Sequence, residues 1–165
     1  MATDPFERRG WHLELGGHGA IEAWTFNTSH ERLAGLDAGF TYGLGRGIVL
    51  TTSWPLTYVS QRGVDAWMMG ATFGVRGRIY HRPRWSLFVG GSVGVSDADT
   101  SVPPGGTRFN YLAIGTVGVT LTIRPRIHLL SGADLVHISN GNLAGRNRNP
   151  DIEAIGPRVA LLLAF

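Results

Sequence analysis

The chain is 165 residues long, 43% hydrophobic and close to neutral in mean hydropathy, which fits one domain and, taken alone, would suit a soluble globule. It has no cysteine, which excludes disulfides, thiolate metal sites and a cysteine nucleophile, and no apolar run is long enough for a transmembrane helix. All fifteen basic residues are arginine, and the net charge of +3 with a pI near 9.9 reads as a solvated surface bias, with no nucleic-acid partner implied.

Met1 to Gly10 carries charges and Pro5 but lacks the apolar stretch of a signal peptide, so residues 1–10 read as an added or replaced N-terminal extension before a single domain at 11–165. From Trp11 onward a period of two dominates. Trp11, Leu13, Leu15, Ile21 and Ala23 alternate with His12, Glu14, His18 and Glu22. Ala34 to Leu44 repeats the pattern, with Leu36, Phe40 and Tyr42 opposed to Gly35, Asp37 and Thr41. A third segment runs from Gly47 to Val59 with Ile48, Leu50, Trp54, Leu56 and Tyr58 on one side; Val49, Pro55 and Val59 blur the other.

The fourth segment sets Trp67, Met69, Phe73, Val75 and Ile79 against Thr72, Gly74, Arg76 and Arg78, and the fifth sets Trp85, Leu87, Val89, Val93 and Val95 against serines and glycines. Tyr111, Val117, Val119, Leu121 and Ile123 form the sixth row, opposite Thr116, Thr120, Thr122 and Arg124. The seventh strand is expected over 126–139 and the eighth over 153–165.

Tight connections at Gly45-Arg46, His81-Arg82-Pro83 and Pro125 alternate with longer ones around 25–31, 60–63, 97–107 and 140–152. That asymmetry predicts an all-β, eight-stranded antiparallel transmembrane β-barrel with periplasmic turns and extracellular loops. The 24 glycines suit strongly curved strands, and the terminal Phe165 resembles the assembly signal of bacterial outer-membrane barrels. A soluble lipocalin-like barrel would place the greasy row inside, but its many tryptophans, tyrosines and phenylalanines are too bulky for an eight-stranded interior.

The seventh greasy row, Ile127, Leu129, Ala133 and Leu135, continues in parity to His137 and Ser139. These two polar residues therefore end a lipid-facing row, at the extracellular end if the N-terminus is periplasmic. Glu153 shares parity with Ile155, Val159 and Leu161, and antiparallel pairing can bring it within about 5 Å of His137. Polar groups on a lipid-facing wall are costly and call for a reason. Nucleophilic catalysis supplies one: His137 takes the Ser139 proton while Glu153 orients the imidazole. The alternative is that all three are interfacial polar residues flanking a loop.

His137-Ile138-Ser139-Asn140-Gly141 followed by Asn149-Pro150-Asp151-Ile152-Glu153 resembles the terminal signature of the lipid A 3-O-deacylase (PagL) family of outer-membrane barrels. The resemblance implies an esterase that removes a 3-O-linked acyl chain from lipid A in the outer leaflet, with His137, Ser139 and Glu153 as triad, Asn140 at the oxyanion, and no metal or cofactor. Asp151 has the same parity and stays open as the acid; Glu153 is favoured because it follows Asn-Pro-X-Ile as in the family. Arg146 and Arg148 in the last loop are placed to meet lipid A phosphates or simply to be solvated.

Elsewhere, His12, Glu14, His18 and Glu22 have strand spacing suited to a metal, but inside a barrel they are expected to pair with Arg76, Arg78 or Arg158. Asp134 and His128 face the lumen as structural groups, Ser131 has no neighbouring base, and the glycine pairs at 90–91 and 105–106 precede no helix. Two non-enzymatic readings accompany the esterase: a small barrel that works through its loops as an adhesin or structural protein, and the soluble carrier. Oligomeric state is left open.

Overall fold

The computed structural model describes residues 3–24 and 30–165. The first long connection, expected at 25–31, falls largely outside the described residues. Eight antiparallel strands follow one another in space: β1 (Trp11–Glu22), β2 (Arg32–Gly45), β3 (Ile48–Ser60), β4 (Ala66–Arg82), β5 (Trp85–Ala98), β6 (Asn110–Arg124), β7 (Ile127–Ser139) and β8 (Ile152–Ala164). β8 pairs back onto β1, so the sheet closes and no strand keeps an open edge. In a bilayer, where water cannot satisfy stray backbone groups, closure is what lets strands span. The described residues contain no α-helix, only a 3-10 turn at Arg146–Arg148.

The greasy rows face outward throughout: Leu36, Met69 and Val93 are 71%, 66% and 65% exposed. This is the reverse of a soluble carrier and excludes that reading. Aromatic pairs ring both ends of the wall. Trp11 stacks near Tyr42 and Tyr80 near Trp85 at the turn end, while Tyr58 meets Trp67 and Phe109 meets Tyr111 at the loop end. These are the interfacial girdles of a membrane barrel, and they bracket the depth of the apolar band.

β4, expected to turn at His81-Arg82-Pro83, instead continues to Arg82. A bulge between Arg78 and Tyr80 adds a residue and turns Tyr80 outward beside Trp85, so the turn moves to Pro83-Arg84.

Inside, the lumen is layered, with a cavity beside its charged groups. An apolar cluster including Leu33, Met68, Leu112 and Ile138 fills the loop end, and Phe6, Phe88, Leu130 and Leu162 fill the turn end. Between them lies a charged layer. Arg158 reaches Asp134 at 2.8 Å, Asp37 at 3.0 Å and Glu14 at 3.4 Å, and Arg76 takes Glu14 at 3.0 Å. Such pairing offsets the cost of taking these charges out of water.

The expected partners are therefore met in part. Glu14 has its two arginines, His18 pairs with Asp37, Arg78 takes Asp4 at 2.6 Å, and His12 packs edge-on against His128. Asp4 and Phe6 belong to the segment before β1, which folds under the barrel and holds on through Thr3 N–H to the Pro125 carbonyl at 2.7 Å. Inward glycines let strands curve this tightly. A Cβ on Gly39 or Gly156 would lie 2.0 or 1.9 Å from a neighbouring carbonyl oxygen.

Candidate active site

β7 carries Leu135, His137 and Ser139 on its outer face, and Ile138 between them is fully buried in the lumen. The same alternation that buries Ile138 thus turns His137 and Ser139 toward the membrane. β8 opens with the inverse pattern: Ile152 is buried inside and Glu153 points outward. The β7–β8 register pairs His137 directly with Glu153.

The side chains use that register. His137 Nδ1 lies 2.5 Å from Glu153 Oε1, and His137 Nε2 lies 2.9 Å from Ser139 Oγ. A carboxylate only accepts, so Nδ1 carries the proton and donates it to Glu153; Nε2 is left to accept from the Ser139 hydroxyl. Hydroxyl, imidazole and carboxylate are thus joined in one hydrogen-bond chain, an arrangement that can activate a serine. His137 and Glu153 side chains remain 37% and 25% accessible, open to a molecule arriving along the wall.

Depth is set by the neighbours. Tyr111, at the loop-end girdle, is the register partner of Ser139 on β6. The hydroxyl therefore sits at the level of the interfacial aromatics, where an ester near a lipid headgroup would lie. Below it, Ala113 is opposite His137 and Gly115 opposite Leu135.

The other expected site residues fall into different roles. Asn140 is buried, its backbone N–H donates to Asn149 Oδ1, its Nδ2 donates to the Arg148 carbonyl, and its Oδ1 accepts the Asn142 N–H. It organises the 140–149 loop. Arg146 and Arg148 are exposed on the 3-10 turn at the tip of that loop, on the same side of the membrane as Ser139. Asp151 lies close by: one donor atom each from His137, Asp151 and Glu153 fall within 4.8 Å of one another, a spacing a divalent cation could bridge. The Nδ1 of His137 is already engaged by Glu153, which competes with such a use.

Gly91 and Gly115, to which the sequence assigned no role at a site, are paired on the outer wall. The signal for them was present, since both fall at greasy parity, Gly91 between Val89 and Val93 and Gly115 between Ala113 and Val117. With His137 and Glu153 they line a groove on the membrane face.

No known family profile matches the sequence, and no curated protein matches it. Solved structures resemble it in fold. The outer membrane protein OprG from Pseudomonas aeruginosa is 11% identical, with a TM-score of 0.56 over 98% of this chain and 96% of that one. Neisserial surface protein A is 11% identical, with a TM-score of 0.62 over 94% and 97%. Ail, the attachment invasion locus protein of Yersinia pestis, is 13% identical, with a TM-score of 0.51 over 96% and 100%. The closed eight-stranded sheet, its apolar outer wall and this likeness make the chain a small β-barrel of the bacterial outer membrane.

Proposed function

We propose that this barrel is a serine esterase that hydrolyses the 3-O-linked acyl ester of lipid A in the outer leaflet. The observation that carries the reading is the unbroken chain Ser139–His137–Glu153 on the membrane-facing wall. The chain is also open to the lipid side, with the His137 and Glu153 side chains 37% and 25% accessible. The choice of lipid A among lipid esters is supported by the resemblance of residues 137–153 to the lipid A 3-O-deacylase family.

In the proposed reaction, Ser139 Oγ attacks the ester carbonyl as its proton passes to His137 Nε2, and Glu153 stabilises the imidazolium. The tetrahedral intermediate collapses when the ester C–O bond breaks and His137 returns the proton to the departing sugar oxygen. Water, deprotonated by His137, then attacks the acyl-serine; the bond to Ser139 Oγ breaks, His137 returns the proton to that oxygen, and the fatty acid leaves. The remaining Nδ2 hydrogen of Asn140 and backbone amides at the start of the loop are the candidates for oxyanion donors. A site poor in water strengthens each of these interactions. Arg146 and Arg148 would meet the phosphates of the disaccharide.

Mass spectrometry of lipid A from cells expressing the wild type or Ser139→Ala tests the reading. The expected result is loss of one hydroxyacyl chain in the first and none in the second. Unaltered lipid A with a correctly folded wild type would leave the chain as a non-enzymatic barrel.

A further inference from the structure

The modest net charge hides a strong separation along the barrel axis. Arg76 and Arg158 lie in the lumen with Glu14, Asp37 and Asp134. Of the other thirteen arginines, eight stand at the turn end beside two acids, Asp4 and Glu7, while the loop end has five arginines and seven acids. Arg78 takes Asp4, which leaves seven exposed arginines at the turn end against the one exposed carboxylate of Glu7.

Five of the seven belong to the hairpin turns: Arg46 in the first, Arg82 and Arg84 around Pro83 in the second, Arg124 and Arg126 around Pro125 in the third. Arg8 and Arg9 come from the segment before β1. Bulges aim the repeated Arg-Pro-Arg. The register shift between Arg78 and Tyr80 puts Arg82 opposite Trp85, and the shift between Thr122 and Arg124 puts Arg124 opposite Ile127. Directly paired residues share a face, so both arginines stand on the lipid side of their strands. The Arg82 guanidinium lies 5.2 Å from the Tyr80 ring centre, within the turn-end aromatic girdle. Its charge is therefore held at the depth of lipid headgroups.

We infer that this rim of arginines is a binding surface for anionic phospholipid headgroups in the inner leaflet of the outer membrane. The inference is independent of the esterase reading. Short barrel turns face the periplasm, so the rim meets the inner leaflet. Like charges crowded at one rim repel one another, and an anionic leaflet offsets that repulsion at the depth where the rim lies. Arginine suits such a partner: its planar donors grip a phosphodiester through two nitrogens at once, and its face still packs on a girdle ring.

For the test, the full chain is folded into phosphatidylcholine bilayers, and quenching of its tryptophans by dibrominated phosphatidylglycerol is compared with quenching by dibrominated phosphatidylcholine. Trp11 and Trp85 in the turn-end girdle report on the rim. At low salt the expected relative affinity favours phosphatidylglycerol by at least about fivefold, the effect of one well-placed arginine on an anionic headgroup. Arg82→Gln with Arg84→Gln, or Arg124→Gln with Arg126→Gln, should lower that preference, and the four-site variant should bring it within about twofold of parity. Arg32→Gln with Arg62→Gln removes the same charge from the loop end and should leave the preference unchanged. Heat-modifiable gel migration reports folding. Where the four-site variant does not fold, the wild type in about 1 M salt, where screening shortens to about 3 Å, should lose the preference instead. Parity of the two lipids in the folded wild type at low salt overturns the inference, as does a preference that survives in the folded four-site variant or falls equally in the loop-end control. Retention on peptidoglycan sacculi in place of any lipid preference would also overturn it and assign the rim to the cell wall.

Discussion

Two histidines in this barrel make nearly the same pair of hydrogen bonds. On the outer wall, His137 joins Glu153 through Nδ1 and Ser139 through Nε2. In the lumen, His18 joins Asp37 through Nδ1 at 3.3 Å and the Thr57 hydroxyl through Nε2 at 3.0 Å. Hydroxyl, imidazole and carboxylate are thus connected twice. The difference lies in what surrounds them. The His18 and Asp37 side chains are 11% and 1% accessible, and Asp37 is shared with Arg158. Thr57 is buried in the lumen, away from the lipid-facing wall. The same connectivity is a packing device inside and a candidate catalytic chain outside, and access is what separates them.

That contrast can be broken experimentally. Ser139→Ala should reduce lipid A deacylation by about 10⁴-fold and leave the barrel folded, as read by lipid A mass spectrometry beside heat-modifiable gel migration. Equal loss of folding would move His137 into the same structural class as His18. Glu153→Gln should cost about 10³-fold, because an amide can hold the imidazole in the wrong tautomer. Full activity in that variant together with none in Asp151→Asn would transfer the orienting role to Asp151.

The lumenal side carries the opposite expectation. Arg158→Met strips the shared cation from Glu14, Asp37 and Asp134, and should cost about 3–5 kcal/mol in urea unfolding followed by tryptophan fluorescence. Among molecules that remain folded, turnover per barrel should be unchanged. Thr57→Val removes only the hydroxyl facing His18, and about 1 kcal/mol of stability with no change in esterase rate is expected from the same two assays. Asp151→Asn is expected to show the smallest effect, within about threefold in kcat, given that the Nδ1 of His137 is taken by Glu153. A rate loss in Thr57→Val comparable to that of Glu153→Gln would show that the inner and outer sites are coupled.

Much of this arrangement is legible in the order of residues. Alternation assigned inner and outer faces along all eight strands because the side-chain period of a strand is a local property. It placed Ile138 inside between His137 and Ser139, and the bulk of the outward aromatics excluded a soluble barrel. Less visible was the bulge at Arg78/Tyr80, where an inserted residue resets the alternation and lengthens β4. The segment before β1 gave no sign that Phe6 would be buried against Phe88, a contact made across the barrel mouth.

Parity alone determined that His137, Ser139, Asp151 and Glu153 share the outer side. It was silent on which acid meets the histidine, since both are odd. That was decided by the β7–β8 register, which depends on how eight strands close on one another and pairs Glu153, not Asp151, with His137. The groove is likewise a tertiary fact. Gly91 and Gly115 are distant in sequence, and each alone is one more glycine in a glycine-rich chain. Only the lateral stacking of β5 on β6 beside β7 makes them a continuous floor beside His137, because a strand encodes its own faces but not its neighbours.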